Sequence, residues 1–187
     1  MKKKILERYN QSADGRFVID IAAGRVEDLF NDFDTYTPFV RKELATDLAD
    51  YILDSVRDLG KEPFLIKIRL LNPPDESMKS RIQEGIRNYF QYLKDVEIRD
   101  LTRAMRTSVI FFILGIAILF LAVWVGEKIG ESTSVVAHVF AEGLTVAAWV
   151  SLWEALATFL INWSPYTRQV KMCERIAMAD VIFTETP

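Results

Sequence analysis

The sequence predicts an α+β integral membrane protein, in which a small cytoplasmic α/β domain of about three strands is joined to a transmembrane helical hairpin. Residues 107–125 contain no charged side chain, and they come close to the roughly 20 apolar residues that a helix needs to cross a bilayer. A second apolar run, 135–163, is long enough to cross with tilt. Alternating strand patterns lie on both sides of these two runs, which predicts a domain built from both ends of the chain.

Composition indicates one water-soluble domain beside the membrane segment. The 187 residues carry 23 Lys and Arg against 26 Asp and Glu, a formal net charge of −3, and the two signs are interleaved. Interleaved charge without a basic block argues against nucleic acid as a partner. The single cysteine, Cys173, excludes an intramolecular disulfide and any metal site built from several thiolates.

The basic residues predict the orientation in the membrane. Only Lys128 lies in the connection between the two runs, whereas both outer flanks are basic: Arg99, Arg103, Arg106, Arg168, Lys171 and Arg175. Because Lys and Arg beside spans are retained on the cytoplasmic side, both termini are expected there and the protein in the cell (inner) membrane. Three lysines near the N-terminus are not followed by an apolar run, so no cleaved signal peptide is expected.

Four segments follow from these patterns: a basic N-terminal segment 1–15, the cytoplasmic α/β domain 16–106 with a long juxtamembrane helix, the hairpin 107–163, and a C-terminal helix and strand in 164–187. Alternation predicts strands over 16–22, 63–71 and 181–184, and the last strand is expected to return to the sheet.

Apolar spacings of three and four predict the helices. A short helix is expected over 25–33, and a second helix is expected to be capped by Thr46 and to stop at Gly60. A third helix, capped by Asp75, is expected to run on into the first span. Pro165 is expected to end the second span before a separate short helix.

Three ionisable side chains fall in the second apolar run: His138, Glu142 and Glu154. Because such groups are costly at membrane depth, each is a functional hypothesis. His138 and Glu142 are four residues apart near the outer end, where water solvates them, and the alternative is a proton or cation relay. One His and one Glu are too few for a metal site, so neither a metal nor another cofactor is expected.

Glu154 lies deeper, in a small and polar stripe with spacings of three and four: Ala147, Ser151, Glu154 and Thr158. Such a stripe lets helix backbones approach closely and hydrogen-bond in lipid. The first span offers a matching seam at seven-residue spacing: Ser108, Gly115 and Ala122. Two interpretations stay open, namely packing within or between subunits and a polar path for ions or protons.

The tryptophans are predicted to anchor and pack rather than to bind a ligand. Trp124 and Trp163 lie at the span ends, where indole rings anchor at the membrane interface. Trp149 and Trp153 lie deeper and are expected to pack against lipid or another subunit. The soluble segments contain no histidine, no glycine-rich phosphate loop and no Ser/His/Asp set, so the protein is not expected to be an enzyme.

Residues 142–183, EGLTVAAWVSLWEALATFLINWSPYTRQVKMCERIAMADVIF, resemble the C-terminal half of a group of uncharacterised bacterial two-span proteins. The shared features are a Glu-Gly-Leu start at Glu142, the pair Trp149 and Trp153, the acidic Glu154 and the exit at Trp163. The resemblance extends to residues 28–31 and 63–71. The resemblance implies that these residues form one recurring sequence pattern, and it does not imply any particular activity.

The sequence therefore favours a membrane-anchored, non-enzymatic assembly or interaction protein. Besides membrane lipid, the expected partner is a second copy of the chain or another membrane protein, because two thin helices bury little of themselves alone. An apolar stripe before the first span supports this expectation: Ile82, Ile86, Tyr89, Leu93 and Val96. The alternative is an oligomeric ion or proton pathway, with Glu154 facing its axis and with Glu142 and His138 at the outer mouth.

Overall fold

The computed structural model describes residues 5–34, 36–72, 74–129 and 135–185, with side chains described except at 129, 137, 161–166 and 185. Residues 130–134 of the expected connection between the spans lie outside these ranges. The chain divides into two units. The first combines Met1–Asp95 with Gln169–Pro187, and the second is Val96–Arg168.

The first unit contains a mixed four-stranded sheet with the strand order β1-β2-β3-β4. The strands are β1 (Asn10–Gln11), β2 (Phe17–Ala23), β3 (Phe64–Leu70) and β4 (Val181–Glu185). β2, β3 and β4 are parallel, and β1 is antiparallel to β2. The predicted return of residues 181–184 to the sheet is confirmed. The three predicted strands are β2, β3 and β4, and the N-terminal segment adds the unpredicted two-residue β1.

Among the residues that the structure describes, three long α-helices accompany the sheet: α1 (Thr46–Leu59), α2 (Glu76–Ile129) and α3 (Val135–Ala177). Side chains at i and i+2 of a strand share a face, and one face of this sheet is apolar. It packs against α1, the first turns of α2 and the last turns of α3. The fully buried side chains include Ile19, Ile66 and Ile68 from the sheet with Ile52, Ile82, Phe90 and Ile176 from the helices.

Two of the predicted helix ends are confirmed and one predicted cap is wrong. α1 stops at Gly60, which has a φ of 65° that glycine adopts without strain. α2 begins behind Asp75, whose Oδ1 accepts a hydrogen bond from the Met78 amide at 2.8 Å. Thr46 is the first residue of α1 rather than its cap, and Ala45 precedes it without a side-chain hydrogen bond.

Two other helix predictions are wrong for physical reasons. Residues 25–33 form two 3₁₀ turns, Glu27–Leu29 and Asp32–Asp34, because Phe30 turns out of the helical path to form an antiparallel bridge with Leu44. Pro165 does not end the second span, since α3 continues to Ala177. Proline removes one helical hydrogen bond, and helices that cross a bilayer tolerate this loss.

Side chains of α2 and α3 hold the C-terminal segment on the sheet. Arg175 donates hydrogen bonds to the carbonyl oxygens of Gly60 and Glu62. Gln83 Nε2 donates to the carbonyl oxygen of Val181 at 2.6 Å. Lys94 Nζ lies 3.9 Å from an Oε1 of Glu174. The two segments that flank the hairpin in sequence are therefore bound to each other within one unit.

Candidate intramembrane site

The second unit is a helical hairpin formed by the later part of α2 and the earlier part of α3. Both helices are long and apolar enough to cross a membrane. Ser108 Oγ donates to the carbonyl oxygen of Ala155 at 2.7 Å. A Cβ added at Gly115 would lie 2.8 Å from Leu152 Cγ and 3.1 Å from the Leu152 amide nitrogen. Close approach of the two helix backbones thus depends on the Ser108 hydroxyl and on Gly115 of α2.

The residues of α3 that contact α2 each follow a residue of the predicted polar stripe by one position in the sequence. Ala148 and Ala155 are buried together with Ser108, Gly115 and Ala122 of α2. Ala147 and Glu154, in contrast, are exposed. Sequence reasoning missed Ala148 and Ala155, although their seven-residue spacing repeats that of the α2 seam. Ala147 and Glu154 have the same seven-residue spacing, so spacing alone does not choose between the two pairs.

Glu154 therefore lies on a flank of α3 that is open in the single chain. Its carboxylate makes no hydrogen bond and no ion pair with any side chain that the structure describes. At about 100° per residue, Gly143 and Ala147 lie within about 20° of Glu154 around the helix axis. A Cβ at Gly143 would meet nothing within 4 Å. We call the surface formed by Gly143, Ala147 and Glu154 the Glu154 flank.

The two hydroxyl residues of the predicted stripe lie between this flank and the hairpin seam. Ser151 and Thr158 are half-buried. Ser151 Oγ donates to the carbonyl oxygen of Ala147, one turn earlier in the same helix, at 3.0 Å. The Ser151 hydroxyl is therefore bonded within its own helix.

His138 and Glu142 lie on a different flank of α3 from Glu154. Both side chains are exposed, and their separation of four positions places them within about 40° of each other. Twelve residues separate Glu142 from Glu154, which sets these two carboxylates about 120° apart around the axis. The helix therefore does not align the three ionisable groups that the sequence singled out.

The tryptophans are on the outer surface of the hairpin. Trp124 is exposed, and Trp149 and Trp153 are 66% and 70% exposed in the single chain. Trp149 lies within about 20° of Glu142 and so belongs to the flank of Glu142 rather than to the Glu154 flank. The side chain of Trp163, the second predicted anchor, lies outside the described residues.

Polar groups of the first unit are engaged in structural contacts. Arg69 forms a two-pronged ion pair with Asp20, with Nε at 2.9 Å from Oδ1. A cavity of about 490 Å³ lies beside the start of β4. There the Gln83 and Arg87 side chains donate to the carbonyl oxygens of Val181 and Ala177. Among the residues that the structure describes, no group of three or more His, Cys, Asp or Glu could hold a metal ion.

Comparison of the chain with protein-family models, curated proteins and solved structures yields no match. The most unusual feature of the hairpin is a carboxylate that is exposed on an apolar helix, beside two small residues and away from the other ionisable groups of that helix.

Proposed function

We propose that the protein is a membrane-anchored, non-enzymatic assembly protein that forms homo-oligomers through the Glu154 flank. The exposed carboxylate of Glu154 beside Gly143 and Ala147 is the observation that carries this proposal. An unpaired ionisable group in hydrocarbon is costly. Small residues let a second helix approach closely enough to hydrogen-bond with that group. A second copy of the chain provides such a helix with the same flank, as a two-fold contact requires.

The proposed location is the cell (inner) membrane, with both termini cytoplasmic. One compact unit combines Met1–Asp95 with Gln169–Pro187, so two membrane-crossing helices between them return the chain to the side from which it entered. The excess of arginine at this end of the hairpin supports the cytoplasmic side.

The alternative, an ion or proton pathway, has less support. It needs Glu154 on the oligomer axis with Glu142 and His138 at its mouth, so that ionisable groups follow one another along the path. The angle of about 120° between the two carboxylates directs them to different neighbours. We therefore rank assembly first.

The proposal is tested by measuring the oligomeric state of single-site variants in lipid vesicles. Glu154→Leu removes the hydrogen-bonding group and should weaken association by roughly 1 kcal/mol per contact, about fivefold in the dissociation constant. Glu154→Gln keeps shape and hydrogen bonding and should associate nearly like the wild type. Glu142→Leu makes the same change on the other flank and is the matched control. Photobleaching step counts over a series of protein-to-lipid ratios give the association constants.

Two outcomes would reject the assembly proposal. A wild-type protein that stays monomeric at every protein-to-lipid ratio does not assemble through this flank or any other. Equal weakening by Glu154→Leu and Glu142→Leu would show that the flank has no special role. Proton flux into liposomes that is lost in Glu154→Gln would instead favour the pathway.

A further inference from the structure

Three arginines form one face of α2 immediately before its apolar stretch. Arg99, Arg103 and Arg106 are spaced by four and three residues, which places them within an arc of about 60° around the helix. All three are exposed, and the Arg103 side chain is 81% exposed. We call Arg99, Arg103 and Arg106 the arginine face.

The arginine face is directed away from the hairpin seam. Ser108, which bonds to α3, follows Arg99 by nine residues and lies about 180° from it. Ile110 and Ile113 lie within about 40° of Arg99, and they are 56% and 62% exposed. The three guanidinium groups thus precede an outward apolar surface on the same side of the same helix.

The nearby acidic side chains neutralise this face only in part. Glu97 and Asp100 are turned about 160° and 100° away from Arg99. Among the described side chains, the face has one ion pair, from Asp100 Oδ1 to Arg103 Nη1 at 3.6 Å. Asp95 precedes Arg99 by one turn, and no ion pair joins them in the described structure. Arg99 and Arg106 have no bonded partner among the described residues. Two guanidinium groups therefore remain available to a ligand.

We propose that the arginine face binds the phosphate of anionic phospholipids whose acyl chains lie against Ile110 and Ile113. Guanidinium groups recognise phosphate oxygens in a two-pronged geometry, and basic residues beside a span attract anionic headgroups. A zwitterionic headgroup carries its own ammonium group, which lowers its net attraction to three positive charges. The site depends on α2 crossing a membrane and is independent of assembly through the Glu154 flank.

The test compares lipid binding by full-length protein and a triple variant. Detergent-solubilised protein is titrated with phosphatidylglycerol or with phosphatidylcholine of the same chains, and bound lipid is counted by native mass spectrometry. The wild type should prefer phosphatidylglycerol. Arg99→Gln combined with Arg103→Gln and Arg106→Gln should lose about fivefold in affinity per arginine. The control variant, Arg25→Gln with Lys61→Gln and Arg81→Gln, removes three exposed positive charges from the other unit and should keep the preference.

Equal binding of both lipids by the wild type, or an unchanged preference in the triple variant, would overturn the proposal. Competition by inorganic phosphate at millimolar concentration would also overturn it, because a lipid site draws part of its affinity from the acyl chains. Glu154→Leu should keep the wild-type lipid preference even if it becomes monomeric. Failure of the lipid proposal is thus distinguishable from failure of the assembly proposal.

Discussion

Asp34 stabilises the segment that connects β2 to α1. Its Oδ2 accepts a hydrogen bond from the Glu43 amide at 3.0 Å. The Thr37 hydroxyl and this amide are the two main causes that hold the pKa of the Asp34 carboxyl below its usual value. The bond spans the same turn as the Phe30–Leu44 bridge, so a single carboxylate supports a connection built from short 3₁₀ turns.

The lowered pKa of Asp34 predicts a pH-dependent effect of Asp34→Asn. An acid whose folded pKa is depressed adds stability that is fully present above its unfolded pKa, about 4, and is lost as the pH falls through the folded pKa. The variant should therefore unfold at lower urea concentration than the wild type at pH 7. The difference should disappear in strong acid, because asparagine resembles the protonated side chain.

Salt provides the control for this prediction. Hydrogen bonds are the main causes of the Asp34 shift, and salt screens exposed charge pairs much more than it weakens hydrogen bonds. The urea midpoint difference at pH 7 should persist in 1 M salt. A difference that vanishes in salt, or one that is independent of pH, would contradict the role assigned to Asp34.

Within the hairpin, Gly115 is a position where an added side chain would collide with the facing helix. Gly115→Val should force α2 and α3 apart, because its Cβ would meet both the side chain and the backbone of Leu152. Overpacking of this kind costs about 1–3 kcal/mol. Thermal unfolding in detergent, followed by circular dichroism, should show a lower midpoint.

Gly126→Val is the matched control, since a Cβ at Gly126 would meet nothing within 4 Å. It makes the same change in the same helix and should leave the midpoint nearly unchanged. If both variants unfold at the same temperature, Gly115 does not limit the approach of the helices.

Strands and spans could be predicted because their signals are local. β3 was expected over 63–71 and forms Phe64–Leu70, since alternating β-branched and charged residues fit a half-buried strand. The two-residue β1 has too few positions to alternate. The turns of 25–33 could not be foreseen from spacing, because the bridge between Phe30 and Leu44 is a tertiary contact that overrides the helical pattern.

The candidate site was less predictable than the fold. The charge and apolar patterns identify Glu154 as unusual, because an ionisable residue inside an apolar run is visible in the sequence without knowledge of its neighbours in space. Whether a helix turns residue 154 or residue 155 toward its partner depends on side-chain packing between the two helices. Ser108 Oγ and Gly115 select the Ala155 side, and this selection involves contacts far apart in sequence.

For the whole molecule, the division into two units predicts that the first unit folds without the hairpin. Joining residue 95 to residue 169 through about six Gly and Ser residues should give a soluble protein with one cooperative urea transition. The ion pair of Lys94 with Glu174 shows that the ends to be joined are close. Circular dichroism against urea concentration measures the transition.

Residues 1–95 alone are the comparison for this joined chain. They lack Cys173, Ile176 and Val181, which are buried in the same core, and they lack β4 beside the central β3. This fragment should show no cooperative transition. A fragment as stable as the joined chain would mean that the C-terminal segment is dispensable for the fold.

The order of the strands also governs when the domain becomes complete during translation. β3 leaves the ribosome before both membrane helices, and β4 follows them. Until the second helix has inserted, β3 has an unpaired edge and the apolar core lacks its last residues. With the proposed topology, a chain that inserted only one helix would carry β4 to the wrong side of the bilayer and could not complete the sheet. Correct insertion would then be a condition for folding, and misinserted chains would keep an open, protease-sensitive domain that quality control can recognise.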